Sequence, residues 1–249
     1  VDKVLSFTRG RVPLLISMPH PGLNLTPVVR EGLVDEAVSL PDTDWHIPRL
    51  YDFAHDLGAG VLAAEYSRFV IDLNRPSDDK PLYAGATTGL YPSTLFEGDP
   101  LFKEGQEPTK DERATYLKQI WTPYHDTLRN ELERLRDEFG YALLFDAHSI
   151  RGHIPHLFDG RLPDFNLGTF NGASCDAELE NASKRSARAR KTTAMCSTGA
   201  SRAATSLAIT ANRPRTSTPF SWNSRRAPTW KNSCRFTTAQ ISPIQRVWC

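Results

Sequence analysis

The sequence predicts an α/β sandwich, and three observations carry that prediction. Apolar runs at residues 12–18 and 141–145 have the length and composition of buried strands. Each run leads into a polar turn that carries a histidine, Pro19-His20-Pro21-Gly22 after the first and Asp146-Ala147-His148-Ser149 after the second. Between them lies a long helical pattern that opens on Thr109-Lys110-Asp111-Glu112, the T-x-x-E form of a capping box. Strands separated by helices, with polar residues at the strand ends, fit a sheet whose site lies outside those ends.

In chain order, Leu14 to Met18 forms the first strand, and the two prolines after it hold His20 in a fixed direction. Pro41-Asp42-Thr43-Asp44-Trp45 reads as a helix start, with Asp42, Thr43 or Asp44 able to accept from free backbone N–H groups. That helix is predicted to reach about His55, with Trp45, Ile47, Leu50, Tyr51 and Ala54 as its apolar stripe, and to end at Gly58 and Gly60. Residues 61–66 and 69–73 read as two further strands, joined by a tight hairpin at Ser67-Arg68. Residues 74–109 are rich in Pro and Gly and show no period, and a loop of that length in a compact domain is usually functional. After the capping box, Leu117, Ile120, Trp121, Tyr124, Leu128, Leu132 and Leu135 recur at helical spacing, a stripe that reads as core packing. Gly140 stops that helix before the second buried strand.

The net charge of +1 conceals a sharp asymmetry. Residues 1–180 hold 17 Lys and Arg against 29 Asp and Glu, a net of −12; residues 181–249 hold 13 Lys and Arg and no acid, a net of +13. Such a break marks a boundary near Glu180. It divides the chain into a larger N-terminal domain, 1–180, and a basic tail, 181–249, expected to be poorly ordered. The four cysteines, Cys175, Cys196, Cys234 and Cys249, form no CxxC pair, so neither a zinc ribbon nor a disulfide framework is expected. No apolar run approaches the roughly 18 residues of a membrane span, and no signal peptide opens the sequence. A cytoplasmic, reduced protein is the expectation.

His20 and His148 each follow an apolar strand, so both can face one crevice at the sheet edge. Asp44 is a candidate third ligand, and serves equally well as a helix N-cap; Asp42, Glu65 and His46 are its rivals. Two histidines and a carboxylate form a recurring catalytic zinc set. Asp146, two residues before His148 on the same strand, points to the same side and can orient a ligand from behind. In Asp72-Leu73-Asn74-Arg75-Pro76, an arginine leaving a strand can grip a carboxylate with two parallel hydrogen bonds, with Asn74 as a neutral donor beside it. Ser149 and Arg151 are further donors near the same crevice.

These clusters together resemble the N-formylglutamate amidohydrolase family. The likeness is carried by Ser17-Met18-Pro19-His20-Pro21-Gly22, Thr43-Asp44-Trp45 and Ser67-Arg68-Phe69-Val70-Ile71-Asp72-Leu73-Asn74-Arg75-Pro76. It continues through Asp146-Ala147-His148-Ser149-Ile150-Arg151, Leu157-Phe158-Asp159-Gly160, Leu162-Pro163-Asp164-Phe165-Asn166-Leu167-Gly168-Thr169 and Gly172-Ala173-Ser174-Cys175. It covers residues 1–180 in order. The resemblance implies hydrolysis of N-formyl-L-glutamate to formate and L-glutamate in histidine breakdown. It also implies a three-layer sandwich with a mixed central sheet, similar to zinc carboxypeptidases. By the same resemblance His20, Asp44 and His148 hold a divalent metal, expected to be Zn2+, while Asn74 and Arg75 bind the substrate carboxylate.

After Glu180 the resemblance stops. The tail reads better as the product of a reading-frame shift than as a nucleic-acid-binding arm, although Trp222, Trp230 and Phe236 would suit base stacking. Back-translated and read two bases out of frame, residues 191–205 permit EDYSHVLNGRFKGGH, and residues 216–232 permit VHSVQLELAQSTYMEE. Both strings resemble the family's C-terminal half, and the bases fixed by Met195, Trp222 and Trp230 leave little room for coincidence. The glutamate of QLEL resembles the general base of the carboxypeptidase-like group; in this chain Trp222-Asn223-Ser224 stands there instead. A nucleic-acid-associated protein, and a hydrolase of another N-acyl amino acid or peptide amide, are the alternative readings.

Overall fold

A computed structural model of the chain describes residues 3–80, 88–157, 159–162, 165–168, 174–188, 195–197 and 209–211. The strands are β1 (Leu5–Thr8), β2 (Leu14–Met18), β3 (Gly60–Ala64), β4 (Leu143–Asp146), β5 (Phe165–Leu167), β6 (Met195–Ser197) and β7 (Ile209–Ala211). The helices are α1 (Pro27–Gly32), α2 (Ile47–Leu50), α3 (Lys110–Tyr116), α4 (Thr122–Phe139) and α5 (Ala177–Arg188). Five strands form one mixed sheet in the order β1-β3-β2-β4-β7. The central β3, β2 and β4 run parallel, and β1 and β7 close the edges antiparallel. β5 and β6 pair in a separate two-stranded sheet. The predicted α/β class with a mixed central sheet is what the chain adopts.

Alternate side chains of β2 divide the core, as the two-residue period of a strand requires. Leu15 joins Val29, Leu62, Tyr124 and Leu135 in one cluster, while Ile16 and Met18 join Ile47, Ala54, Ala63 and Ala147 in another. The first cluster is roofed by α4 through Tyr124 and Leu135, both fully buried. Burial of one such side chain stabilises the fold by about 1.5–3 kcal/mol. Glu131 fastens the same helix to the loop before β2 by accepting from the Gly10 backbone N–H at 3.0 Å.

The capping box forms as predicted: Thr109 Oγ1 accepts from Glu112 N, and Glu112 Oε2 accepts from Thr109 N. The long helix is not continuous. A single π turn, Leu117–Trp121, separates α3 from α4, with Thr122 N donating to Leu117 O. Gly140 ends α4 in the left-handed conformation at φ 80°.

Two predicted elements differ. The helix expected over residues 45–55 is only α2 followed by a short 3-10 turn at Asp52–Ala54. His46 sits at φ 63° before it, and no side chain caps it. Residues 69–73 form no strand and no hairpin. Val70 N donates to Ser67 O, and Asp72 N reaches across to Leu90 O. Phe69, Val70, Ile71 and Leu73 are all at most 2% exposed, so the run is buried on every side, a pattern that cannot distinguish a strand from a packed turn. The composition break at Glu180 falls inside α5, which runs on to Arg188.

Candidate metal and substrate site

The register of β2 against β4 builds the site. Ser17 lies opposite Asp146, so the two parallel strands end side by side and release His20 and His148 at one edge of the sheet. Their rings come to 4.9 Å between centroids. Gly22 allows the chain leaving β2 to pass against the end of β3: a Cβ there would stand 2.2 Å from Tyr66 O. Asn24 N then donates to Glu65 O and Ser67 N to Asn24 O, pinning the turn.

Asp44 closes the set. Its backbone N–H donates to His20 O at 3.1 Å, which brings its side chain between the two imidazoles. Its Oδ2 lies 2.9 Å from His148 Nδ1 and 3.7 Å from His20 Nδ1. The shorter separation is a hydrogen bond; the longer is an ion-pair distance only. Asp44 is therefore not a helix cap. Among the described residues, His20, Asp44 and His148 are the group with ligand atoms all within 4.8 Å of one another. The rivals are otherwise engaged: Asp42 Oδ2 accepts from Phe96 N, Glu65 pairs with Lys3, and His46 lies at the start of α2.

Each imidazole is backed by a buried carboxylate on its far nitrogen. His20 Nε2 meets Asp72 Oδ1 at 2.7 Å, and His148 Nε2 meets Asp146 Oδ2 at 2.9 Å. With the far nitrogen of each ring turned to its carboxylate, Nδ1 is the atom left to face Asp44: His148 Nδ1 donates its proton there, and a cation bound between the rings would take the Nδ1 lone pairs in that proton's place. His20 Nδ1 is buried with no hydrogen-bond partner. Ligand atoms around a tetrahedral zinc stand about 3.3 Å apart, given bonds of about 2.0–2.1 Å. The separations of 2.9 and 3.7 Å bracket that value, so these residues suit a small divalent cation.

Charge in the site follows from these contacts. Burial alone would raise Asp44, but the hydrogen bond from His148 and the proximity of both imidazoles hold its carboxyl well below the usual range. Burial likewise opposes charge on Asp72, and the charges of His20 and Arg68 outweigh it, holding that carboxyl low. For His148, burial works against the imidazolium, yet Asp146 and Asp44 push its pKa up to about 10.

Asp72, which the sequence reading left without a role, is a hub. Its Oδ1 also accepts from Asn74 N at 2.8 Å, and its Oδ2 accepts from Arg68 Nη2 at 2.6 Å. One carboxylate thus ties His20 to the Asn74-Arg75 segment. Ser17 was missed in the same way: it donates to Asp146 Oδ1 at 2.7 Å and lies 3.0 Å from Tyr124 Oη. A serine in the middle of an otherwise apolar strand was the signal that could have found it.

The substrate-binding candidates divide. The Asn74 amide nitrogen lies 3.2 Å from His148 Nε2, against the metal set. Arg75 is held by Thr88 O at 2.7 Å and Asn74 O at 2.9 Å. Arg151 pairs with Glu97 at 2.8 Å and, more loosely, with Asp42 at 3.5 Å, which keeps it at the rim. Ser149 is half-buried one residue beyond His148.

Comparisons with known proteins identify the family. The sequence profile of the N-formylglutamate amidohydrolase family matches residues 12–202. A Pseudomonas putida N-formylglutamate deformylase is 79% identical over 179 residues, which cover 72% of this chain and 67% of that protein. The corresponding Pseudomonas aeruginosa deformylase is 72% identical with the same coverage. In fold, the chain is similar to a crystal structure of N-formylglutamate amidohydrolase from Ralstonia eutropha JMP134, with a TM-score of 0.67, 23% identity, and coverage of 78% of this chain and 75% of that one. A gene product of Agrobacterium tumefaciens shares the fold at a TM-score of 0.61 and 17% identity, with 79% of this chain and 73% of that one covered. The chain belongs to the N-formylglutamate amidohydrolase family.

Proposed function

We propose that this chain carries the metal and substrate sites of an enzyme that hydrolyses N-formyl-L-glutamate to formate and L-glutamate in histidine breakdown. The observation that carries the reading is the convergence of His20, Asp44 and His148 beside Asn74, in a chain 79% identical to a deformylase of that name. His20 Nδ1, Asp44 and His148 Nδ1 would hold a divalent cation, Zn2+ by the nitrogen and oxygen character of the set, and the ion would supply Lewis acidity toward the formyl carbonyl. Asp72 and Asp146 fix the two rings. Asn74 and Arg75 hold a substrate carboxylate and so set the formyl group against the metal set; Ser149 and Arg151 line the approach. The parallel strand ends that release both histidines support a zinc-carboxypeptidase-like architecture. The enzyme is assigned to the cytoplasm, where a small-molecule catabolic step needs no disulfide; among the described residues no helix is long and apolar enough to cross a membrane.

The general base is a separate matter. Residues 222–224, which stand where the frame-offset QLEL would lie, fall outside the described residues. General-base catalysis contributes about 100- to 10,000-fold, so the chain as written is an impaired form of the enzyme. Its 181–249 segment is read as the out-of-frame remainder of the domain, and no nucleic-acid partner is assigned to it. Expression of this chain beside a frame-restored version, with formate release from N-formyl-L-glutamate as the assay, tests both statements. The restored protein is expected to turn over at least about 100-fold faster. Equal, robust rates would overturn the frame-shift account, and no formate from the restored protein would overturn the substrate assignment.

A further inference from the structure

The π turn at Leu117–Trp121 has a structural consequence outside the core. Trp121 and His125, one helical turn apart, stack with ring centroids at 3.8 Å and planes 25° apart. Both rings reach the Leu73-Asn74-Arg75 backbone. Trp121 Nε1 donates to Arg75 O at 2.9 Å, and His125 Nε2 meets Leu73 O at 2.9 Å. An indole nitrogen only donates, and a carbonyl only accepts, so the direction of both bonds is fixed and His125 carries its proton on Nε2. Burial holds the His125 pKa below its usual value, which favours that neutral tautomer. The remaining carbonyl, Asn74 O, accepts from Arg75 Nη1, and Asn74 N is bound to Asp72. Every backbone oxygen of the three residues therefore has a partner. Local π turns recur at functional sites because the extra residue rotates a helix out of register; here it sets Trp121 and the following face of α4 against this segment.

We infer that Trp121 and His125 are positioning residues that clamp the Leu73–Arg75 backbone and thereby aim Asn74 and Arg75 at the substrate carboxylate. The inference rests on the reading that Asn74 and Arg75 bind that carboxylate. Sequence periodicity alone assigns Trp121 to the core stripe. In the fold its indole spends its one polar atom on a loop carbonyl 46 residues away in sequence.

The test uses the full chain and three variants: Trp121→Phe, which keeps the ring stack and loses the donor; His125→Phe, which loses the other donor; and His125→Asn, a donor that can restore the bond to Leu73 O. Two measurements are made. Hydrogen exchange of the 73–75 amides is expected to quicken by about tenfold in each Phe variant, the fold-change of one lost hydrogen bond. Calorimetric binding of N-formyl-L-glutamate, compared with its uncharged diamide, is expected to lose several-fold of its preference for the acid in the Phe variants, with partial recovery in His125→Asn. A role confined to packing would lower thermal stability and leave both the local exchange and the acid preference unchanged; that result overturns the proposal. If the parent chain binds acid and diamide alike, the substrate reading fails, and the exchange measurement still decides the clamp by itself.

Discussion

The two imidazoles of the site are held alike and balanced differently. His20 and His148 each turn one nitrogen toward Asp44 and bind a buried carboxylate with the other. Behind His20, the Asp72 charge is met by the Arg68 guanidinium, whose other face stacks on Phe96 at 4.6 Å. Behind His148, Asp146 is met by the Ser17 hydroxyl, with Tyr124 beyond it. A full positive charge offsets one carboxylate and neutral hydroxyls solvate the other. The negative potential at His148 is therefore less compensated, and its imidazolium is favoured up to about 10. The same residue pair is thus set in two different charge environments, a carboxylate balanced by a guanidinium on one side and a carboxylate balanced by a hydroxyl on the other.

Breaking the two backing carboxylates in turn gives the largest expected effects. Asp72→Asn and Asp146→Asn should each weaken zinc binding by about 10- to 100-fold, the usual effect of losing such a partner. Asp72→Asn should lie at the upper end, because an amide cannot accept from His20, Asn74 N and Arg68 together. Competition with a chromophoric chelator measures both; a larger loss at Asp146 would reverse the comparison.

A pH series sharpens it. The folded pKa of His148 lies above its ordinary 6.5, so its protonated form stabilises the metal-free protein. That contribution is complete below about pH 6.5 and is lost as pH rises toward 10. A cation must displace this proton, so zinc affinity should climb about tenfold per pH unit between 7 and 9. Asp146→Asn should move the break in that profile to lower pH. A flat profile in the parent chain would show that His148 is neutral before the cation arrives.

The smallest effect is expected at the hydroxyls. Ser17→Ala removes a donor from Asp146 and should cost zinc affinity a few-fold, the scale of one hydrogen bond. Tyr124→Phe, one step further out, should cost less, and the same chelator competition ranks them.

Much of this architecture was legible before any coordinates. Residues 14–18, the capping box at Thr109 and the stop at Gly140 are local signals, and each appears where the sequence puts it. The two histidines were legible because strand ends in α/β sheets gather ligands on one edge. Residues 69–73 read as a strand and are not one because five successive side chains, four apolar and Asp72, are buried on all sides and lack the alternation that identifies a half-exposed strand. Trp121 is absorbed into an apolar stripe, and His125 beside it carries no periodic signal, because periodicity records where a side chain faces, not what its one polar atom meets.

The sequence by itself determined the α/β class, the histidines at the ends of two strands, the family, and the reversal of charge after Glu180, since all of these depend on local pattern or composition. Only the tertiary structure decided that Asp44 stands between the two imidazoles rather than capping a helix, that Asp72 joins His20 to the Asn74-Arg75 segment, and that Arg151 stays at the rim. Those assignments depend on distances between residues tens of positions apart, which register and packing set and which no local signal encodes.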